Sequence, residues 1–237
     1  MNISQLLSSS TASQASSSQS TTQASSALSP VMAGITKSSN VLQTKLDAAT
    51  TSLSTLGQFK SAVSLVQTAA QGLSGFQTSS TSDEVKTGIT SFITNFNAMV
   101  ASAQTAAAQT SGTDRISSTM SRALSADLSK ISDLRNMGFT KASDGTLKLD
   151  ATKFAAAYKA SPSKVQSALS KLGQLVDKAA GKELASGGRI SASISALNGK
   201  STLLQSQRTA LLKAAQQFSA SQSSTTSNAL SAYSSNA

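Results

Sequence analysis

The chain has no cysteine, no histidine and no tryptophan. Those absences exclude an imidazole general base, a thiolate nucleophile, a Cys/His zinc site and any disulfide. Acidic residues are also scarce: ten in 237 positions, scattered along the chain, too few and too dispersed for a carboxylate metal cluster. No catalytic, cofactor-binding or metal-ligating residue is therefore expected, and the chain does not read as an enzyme. Aromatics make up 4% and proline occurs twice, so long stretches of Ala, Ser, Leu and Gln run without a helix breaker. No run approaches the ~18 apolar residues of a membrane-crossing helix, so no membrane span is expected.

Ser and Thr are in excess, about a third of all residues against an ordinary composition. So is positive charge, with 20 basic against 10 acidic residues and a net charge of +10. The lysines stand singly, at Lys37, Lys45, Lys60, Lys86, Lys130, Lys141 and onward. No basic block interleaved with aromatics occurs, so they read as solvated helix faces and no nucleic acid is expected as a partner.

Residues 1–36 are almost pure Ser, Thr, Gln and Ala and carry no charged side chain. Such a segment buries too little apolar surface to offset the entropy of ordering it, so a disordered polar leader is expected. It lacks the basic start and apolar run of a cleavable secretory signal. Two roles stay open for it, a passive tail or an uncleaved leader for type III export.

From residue 37 to 75 the pattern becomes helical. Leu42, Leu46, Ala49, Leu53, Leu56, Phe59, Val63, Val66, Ala70 and Leu73 alternate at spacings of three and four, with one slip between Leu56 and Phe59. That is a coiled-coil seam. Residues 189–237 answer it with Ile190, Ile194, Leu197, Ser201, Leu204, Arg208, Leu211, Ala215, Phe218, Gln222, Thr225 and Ala229. The polar members cost stability while fixing register, so this helix should be firm only when paired, within the chain or between chains. Beyond Phe218 the sequence is polar enough that a frayed end is expected, where Leu230 and Tyr233 are the remaining large side chains.

A more globular part lies between, at 83–188. Ile89, Phe92, Ile93, Phe96, Met99, Val100 and Ala103 give one helix a broad apolar face, with Asp83 as its N-cap. A second helix carries Ile116, Met120, Leu124, Leu128, Ile131 and Leu134 inward and ends before Gly138. The period then changes to two over 138–150, where Phe139–Lys141 and Thr146–Leu149 flank Ser143, Asp144 and Gly145 as a small hairpin. Asp150 caps a short helix, and Ser161-Pro162 opens the next. Asp144, Gly145 and Asp150 lack the ligand spacing of a calcium loop and read as turn and cap. The fold class is mainly α: N- and C-terminal helices forming a coiled-coil leg, and a central helical domain with one β-hairpin.

The stretch from Leu134 to Leu169, LRNMGFTKASDGTLKLDATKFAAAYKASPSKVQSAL, resembles the C-terminal conserved region of the flagellar filament-capping protein family, hook-associated protein 2. ITSFITNFNAMVASAQT resembles that family's Phe-Val-x-x-Tyr-Asn-x-Leu helix, with Phe96 where Tyr is usual. SLSTLGQFKSAVSLVQTAAQGLS resembles its N-terminal conserved region, and LLQSQRTALLKAAQQFSA its closing coiled coil. Relative to the family this is a short form, in which Gln77 to Glu84 stands where large variable outer domains are usual. The resemblance implies a secreted, extracellular protein of the bacterial flagellum that forms a homo-oligomer on the filament tip and promotes flagellin assembly. Its implied partners are flagellin or hook-filament subunits, and an export chaperone before secretion. Candidate partner and oligomer contacts are Leu46, Leu53, Leu56, Val63, Leu204, Leu211, Phe218, Leu230 and Tyr233. The absence of Cys suits a chain that unfolds for export and refolds outside. A phasin-like or other surface-coating helical protein, or an accessory secreted adhesin, is the alternative.

Overall fold

Long Ala-, Ser- and Leu-rich runs without internal breakers form the helices seen in a computed structural model, which describes residues 22–109 and 132–235. In chain order the elements are α1 (Thr22–Ser74), α2 (Ser82–Gln109), α3 (Ser132–Asn136), β1 (Phe139–Lys141), β2 (Leu147–Leu149), α4 (Ala151–Ala160), α5 (Pro162–Leu184) and α6 (Arg189–Ser234). The protein is mainly α, with one antiparallel hairpin among the described residues, paired Phe139 with Leu149 and Lys141 with Leu147. The helix expected over 116–131 lies outside the described residues. Leu134, its last inward residue, is buried.

The chain divides into two units, residues 49–199 and, separately, residues up to 48 with those from 200 on. The boundary cuts both terminal helices. Residues 49–74 and 189–199 thus belong to the globular unit and not to the leg, where the sequence pattern had put all of 37–75 and 189–237. The stripe already enters the globular core at Leu56, which is 1% exposed and precedes the slip between Leu56 and Phe59. Beyond it α1 turns Phe59, Val63, Val66, Ala70 and Leu73 into a core shared with α2 and α5, all nearly fully buried.

That core collects Val85, Ile89, Phe92, Phe96 and Met99 from α2, Phe139 and Leu147 from the hairpin, Phe154 from α4, and Val165, Leu169, Leu172 and Val176 from α5. The rings of Phe92 and Phe96 sit 6.0 Å apart and tilted, a favourable arrangement for aromatic pairs. Polar ties join α1 to α5: Gln67 and Gln71 both donate to one carboxylate oxygen of Asp177, each at 2.8 Å. The loop after α1 is pinned where Tyr158 Oη donates to the Ser80 carbonyl and Gln166 Nε2 donates to that of Gln77 at 2.7 Å. At the α5–α6 turn, buried Glu183 accepts from the Arg189 guanidinium, and this hydrogen bonding holds Arg189 above its ordinary pKa.

Three local expectations differ. The cap of α2 is Thr81 and not Asp83: Thr81 Oγ1 accepts from the Glu84 N–H at 3.3 Å while Glu84 Oε2 accepts from the Thr81 N–H at 2.7 Å, a reciprocal capping box. Helix α1 begins at Thr22, inside the segment expected to be a disordered leader. Met32 and Ile35 are half-buried and continue the three-four stripe upstream of Ser39 and Leu42, so the helix has packing to propagate from. Helix α6 runs to Ser234 where fraying was expected. There Ser221, Ser223, Thr225, Ser227 and Ser231 donate their hydroxyls to carbonyls three or four residues back, and no glycine or proline follows Gly199.

Close approach of α1 and α5 depends on Gly173. A Cβ there would lie 2.3 Å from both the Ala70 carbonyl oxygen and Ser74 Oγ. Gly173→Ala should therefore force the helices apart and cost about 1–3 kcal/mol, read as a lower urea midpoint with an unchanged m-value. Gly72→Ala, with nothing within 4 Å of its added methyl, should instead stabilise by about 0.5–1 kcal/mol.

Candidate assembly interface

The residues singled out from the sequence fall on two features of the described structure, the leg unit and the docked hairpin. In the leg, residues 22–48 and 200–235 form one unit, and its burial follows the seam read from sequence. Ser39, Leu204 and Ala215 are buried, and Met32, Ile35, Leu42, Leu46, Ser201, Arg208, Leu211, Phe218 and Gln222 are half-buried. A lone helix cannot bury a side chain to a few per cent exposure, so the stripes are covered within this unit. The stripe ends at Gln222, since Thr225 and Ala229 are exposed.

The candidate contacts separate accordingly. Leu56 and Val63 are buried in the globular core, at 1% and 0% exposure, and are not available to a partner. Their seam positions coincide with core positions because a three-four stripe looks the same in both settings. Leu53 is a half-buried residue of the same globular unit. Leu46, Leu204, Leu211 and Phe218 lie on the covered stripe of the leg. Leu230 is 61% exposed, and the Tyr233 side chain falls outside the described residues. Val31, Val41 and Leu203 are further exposed apolar side chains of the leg that the seam pattern did not single out.

The hairpin is built from its turn outward. Gly145 has φ 90°, and Asp144 Oδ1 accepts from the Thr146 N–H at 2.9 Å and the Thr146 hydroxyl at 2.7 Å, closing the turn. Two strands alone are marginal, so the hairpin needs a surface to rest on. Helix α2 supplies it through Asn97, which the sequence pattern left unmarked. Its Nδ2 donates to the Leu147 carbonyl at 3.0 Å and its Oδ1 accepts from the Leu147 N–H at 2.7 Å. One amide thus pairs with the outer edge of β2 as a neighbouring strand would. Gln104, two turns on, donates to the Asp144 carbonyl at 3.2 Å. Past the strands, Asp150 Oδ1 accepts from the N–H groups of Thr152 and Lys153, each at 3.0 Å, and opens α4 as expected. Ser161 precedes Pro162 at the start of α5 without a side-chain cap bond.

No cluster of three or more potential metal ligands occurs among the described residues, and no helix there is long and apolar enough to cross a membrane. Compared with known proteins, the chain matches no family model, no curated protein and no solved structure.

Replacing Asn97 by Leu removes both partners of Leu147 and should cost about 2 kcal/mol, with faster hydrogen exchange at the Leu147 amide. Asn97→Asp keeps the acceptor but not the donor and should fall between. The carboxylates of Glu84 and Asp144 sit below their ordinary pKa, Glu84 through the Thr81 backbone N–H and then its hydroxyl, Asp144 through the Thr146 hydroxyl and then its N–H. A depressed carboxylate contributes stability that is complete above its unfolded pKa and is lost as pH falls through the folded value. The melting temperature should therefore drop on acidification below the ordinary carboxylate range, and Glu84→Gln with Asp144→Asn should flatten that drop.

Proposed function

We propose that the chain is a structural assembly protein, acting by oligomerisation and surface recognition and not by catalysis. Within that class, the reading best supported is a short relative of the flagellar filament cap: a secreted protein of the bacterial flagellum that oligomerises at the filament tip and promotes flagellin assembly. The observation that carries it is the ordered run from Leu134 to Leu169. There a Gly-Phe-Thr strand, a tight Asp-Gly turn, a Thr-Leu-Lys-Leu-Asp return, an Asp-capped helix and a Ser-Pro helix start follow one another as they do in that family. The leg adds support. Its stripe mixes Leu and Ala with Ser, Arg and Gln, a composition that folds weakly by itself and gains stability when an interface is added. A chain exported unfolded and assembled outside needs that balance.

In this reading the leg engages filament subunits or neighbouring copies. An export chaperone holds the chain before secretion, with the exposed Leu230 near the end of α6 as one anchor. The working partners are flagellin or hook-filament subunits and further copies of the chain.

The test is electron microscopy of the gold-labelled protein mixed with preformed flagellin filaments, with sedimentation of the protein alone and with flagellin. Label should concentrate at filament ends, and the oligomer should be ring-sized. Leu204→Asp, which sets a carboxylate in the covered stripe at a cost of about 3 kcal/mol, should abolish end labelling while leaving the globular unit folded. Label along filament sides or nowhere, or a small oligomer that coats lipid or polymer granules, contradicts the reading.

A further inference from the structure

Helix α5 carries its charges in an unusual division. Its inward stripe, Val165, Leu169, Leu172, Val176 and Ala180, is buried in the core. On the opposite side stand Lys164, Lys171, Lys178 and Lys182, all exposed. Seven residues turn a helix through nearly two full revolutions, so these four ammonium groups fall within an arc of about 40° along ~27 Å of helix. The acids of the same helix do not offset them. Asp177 keeps its charge but lies about 100° or more round the helix from the lysine arc, where it accepts from Gln67 and Gln71 of α1, and Glu183 is buried against Arg189. None of the four lysines makes an ion pair among the described residues. Nor does the surrounding chain neutralise them: from Lys141 to Lys182 there are eight lysines and three aspartates, and Asp144 and Asp150 are engaged in a turn and a cap.

We propose that this ridge is a docking surface for an acidic helix of another protein, one that presents carboxylates at every seventh residue. The repeat of the ridge, ~10.5 Å between Lys164, Lys171 and Lys178, equals the heptad repeat of a partner helix, so each of these three ammonium groups meets a carboxylate, and Lys182 adds a fourth charge about 6 Å further on. A second copy of this chain cannot supply the match, because no two of its ten acidic residues are seven apart. Duplex DNA fits less well, since the ridge is straight over its whole length, holds no arginine and has no aromatic among its lysines. A membrane surface fits less well too, because the lysine arc has no large exposed apolar side chain to insert. The inference does not depend on the filament reading: the ridge would recognise such a helix on any partner.

The test uses the full-length protein and two fluorescent helical peptides of identical composition, one with Glu at every seventh position and one with the same Glu residues bunched. The heptad peptide should bind about tenfold more tightly than the bunched one, and the difference should shrink as salt is raised. The variant K164Q/K171Q/K178Q/K182Q, folded by circular dichroism, should lose about tenfold in affinity for it. K37Q/K45Q/K60Q/K86Q, which removes the same charge elsewhere, should lose no more than about twofold. Equal binding of the two peptides, equal loss in the two variants, or no binding of the heptad peptide at low salt overturns the proposal. So does tighter, ridge-dependent binding of duplex DNA or of anionic phosphatidylglycerol vesicles, either of which assigns the lysines to another kind of surface.

Discussion

Large apolar side chains are the scarce resource of this chain, and where they go decides everything else. Six of its seven phenylalanines lie between residues 49 and 199, and Phe59, Phe92, Phe96 and Phe154 are fully buried there. Each fully buried ring contributes on the order of 2–3 kcal/mol of transfer free energy, more than any surface ion pair in the chain can supply. The globular unit is thus a conventional packed core of α1, α2 and α5. The outer halves of α1 and α6 have Leu, Ala and Ser to work with. The hairpin completes the core by setting Phe139 and Leu147 into it, and Asn97 settles the backbone polarity that this brings indoors.

The leg shows what a helix pair can be with so little apolar area. Ser39 occupies a buried position, Ser201 and Gln222 half-buried ones, and Arg208 Nε is buried without a hydrogen-bond partner among the described residues. The unpartnered Arg208 Nε subtracts from the stability that Leu204 and Ala215 contribute. Serine and threonine hydroxyls bonded back to their own helices keep the surface of α6 satisfied, but they add nothing that holds one helix to another. A leg of this kind exists at the margin of stability.

Much of this was legible in the sequence. The three-four stripes of α1 and α6 mark the buried and half-buried residues as far as Gln222, and the switch to period two at Phe139 with Asp144-Gly145 locates the hairpin to within a residue. Periodicity could not say whose core a stripe enters. Leu56 and Val63 look like seam residues and are core residues, and the slip after Leu56 falls too late to mark the change. The capping box at Thr81 and Glu84 was available as a Thr-x-x-Glu spacing, but the neighbouring Asp83 is an equally good cap by type. Asn97 falls on the Asn of the motif that α2 resembles, but periodicity gave it no role, since one Asn on a helix face is ordinary until a strand edge lies against it. The lysine ridge depends likewise on knowing that Asp177 and Glu183 are engaged elsewhere.

The claim that stability is divided between a firm globular unit and a marginal leg is tested most directly by residue-resolved hydrogen exchange on the dilute, unassembled protein. Amides around Phe92–Phe96 and Leu169–Val176 should exchange only through global unfolding. Those of residues 32–46 and 204–218 should exchange at least about a hundredfold faster. Equal protection of leg and core in the dilute monomer would contradict the account.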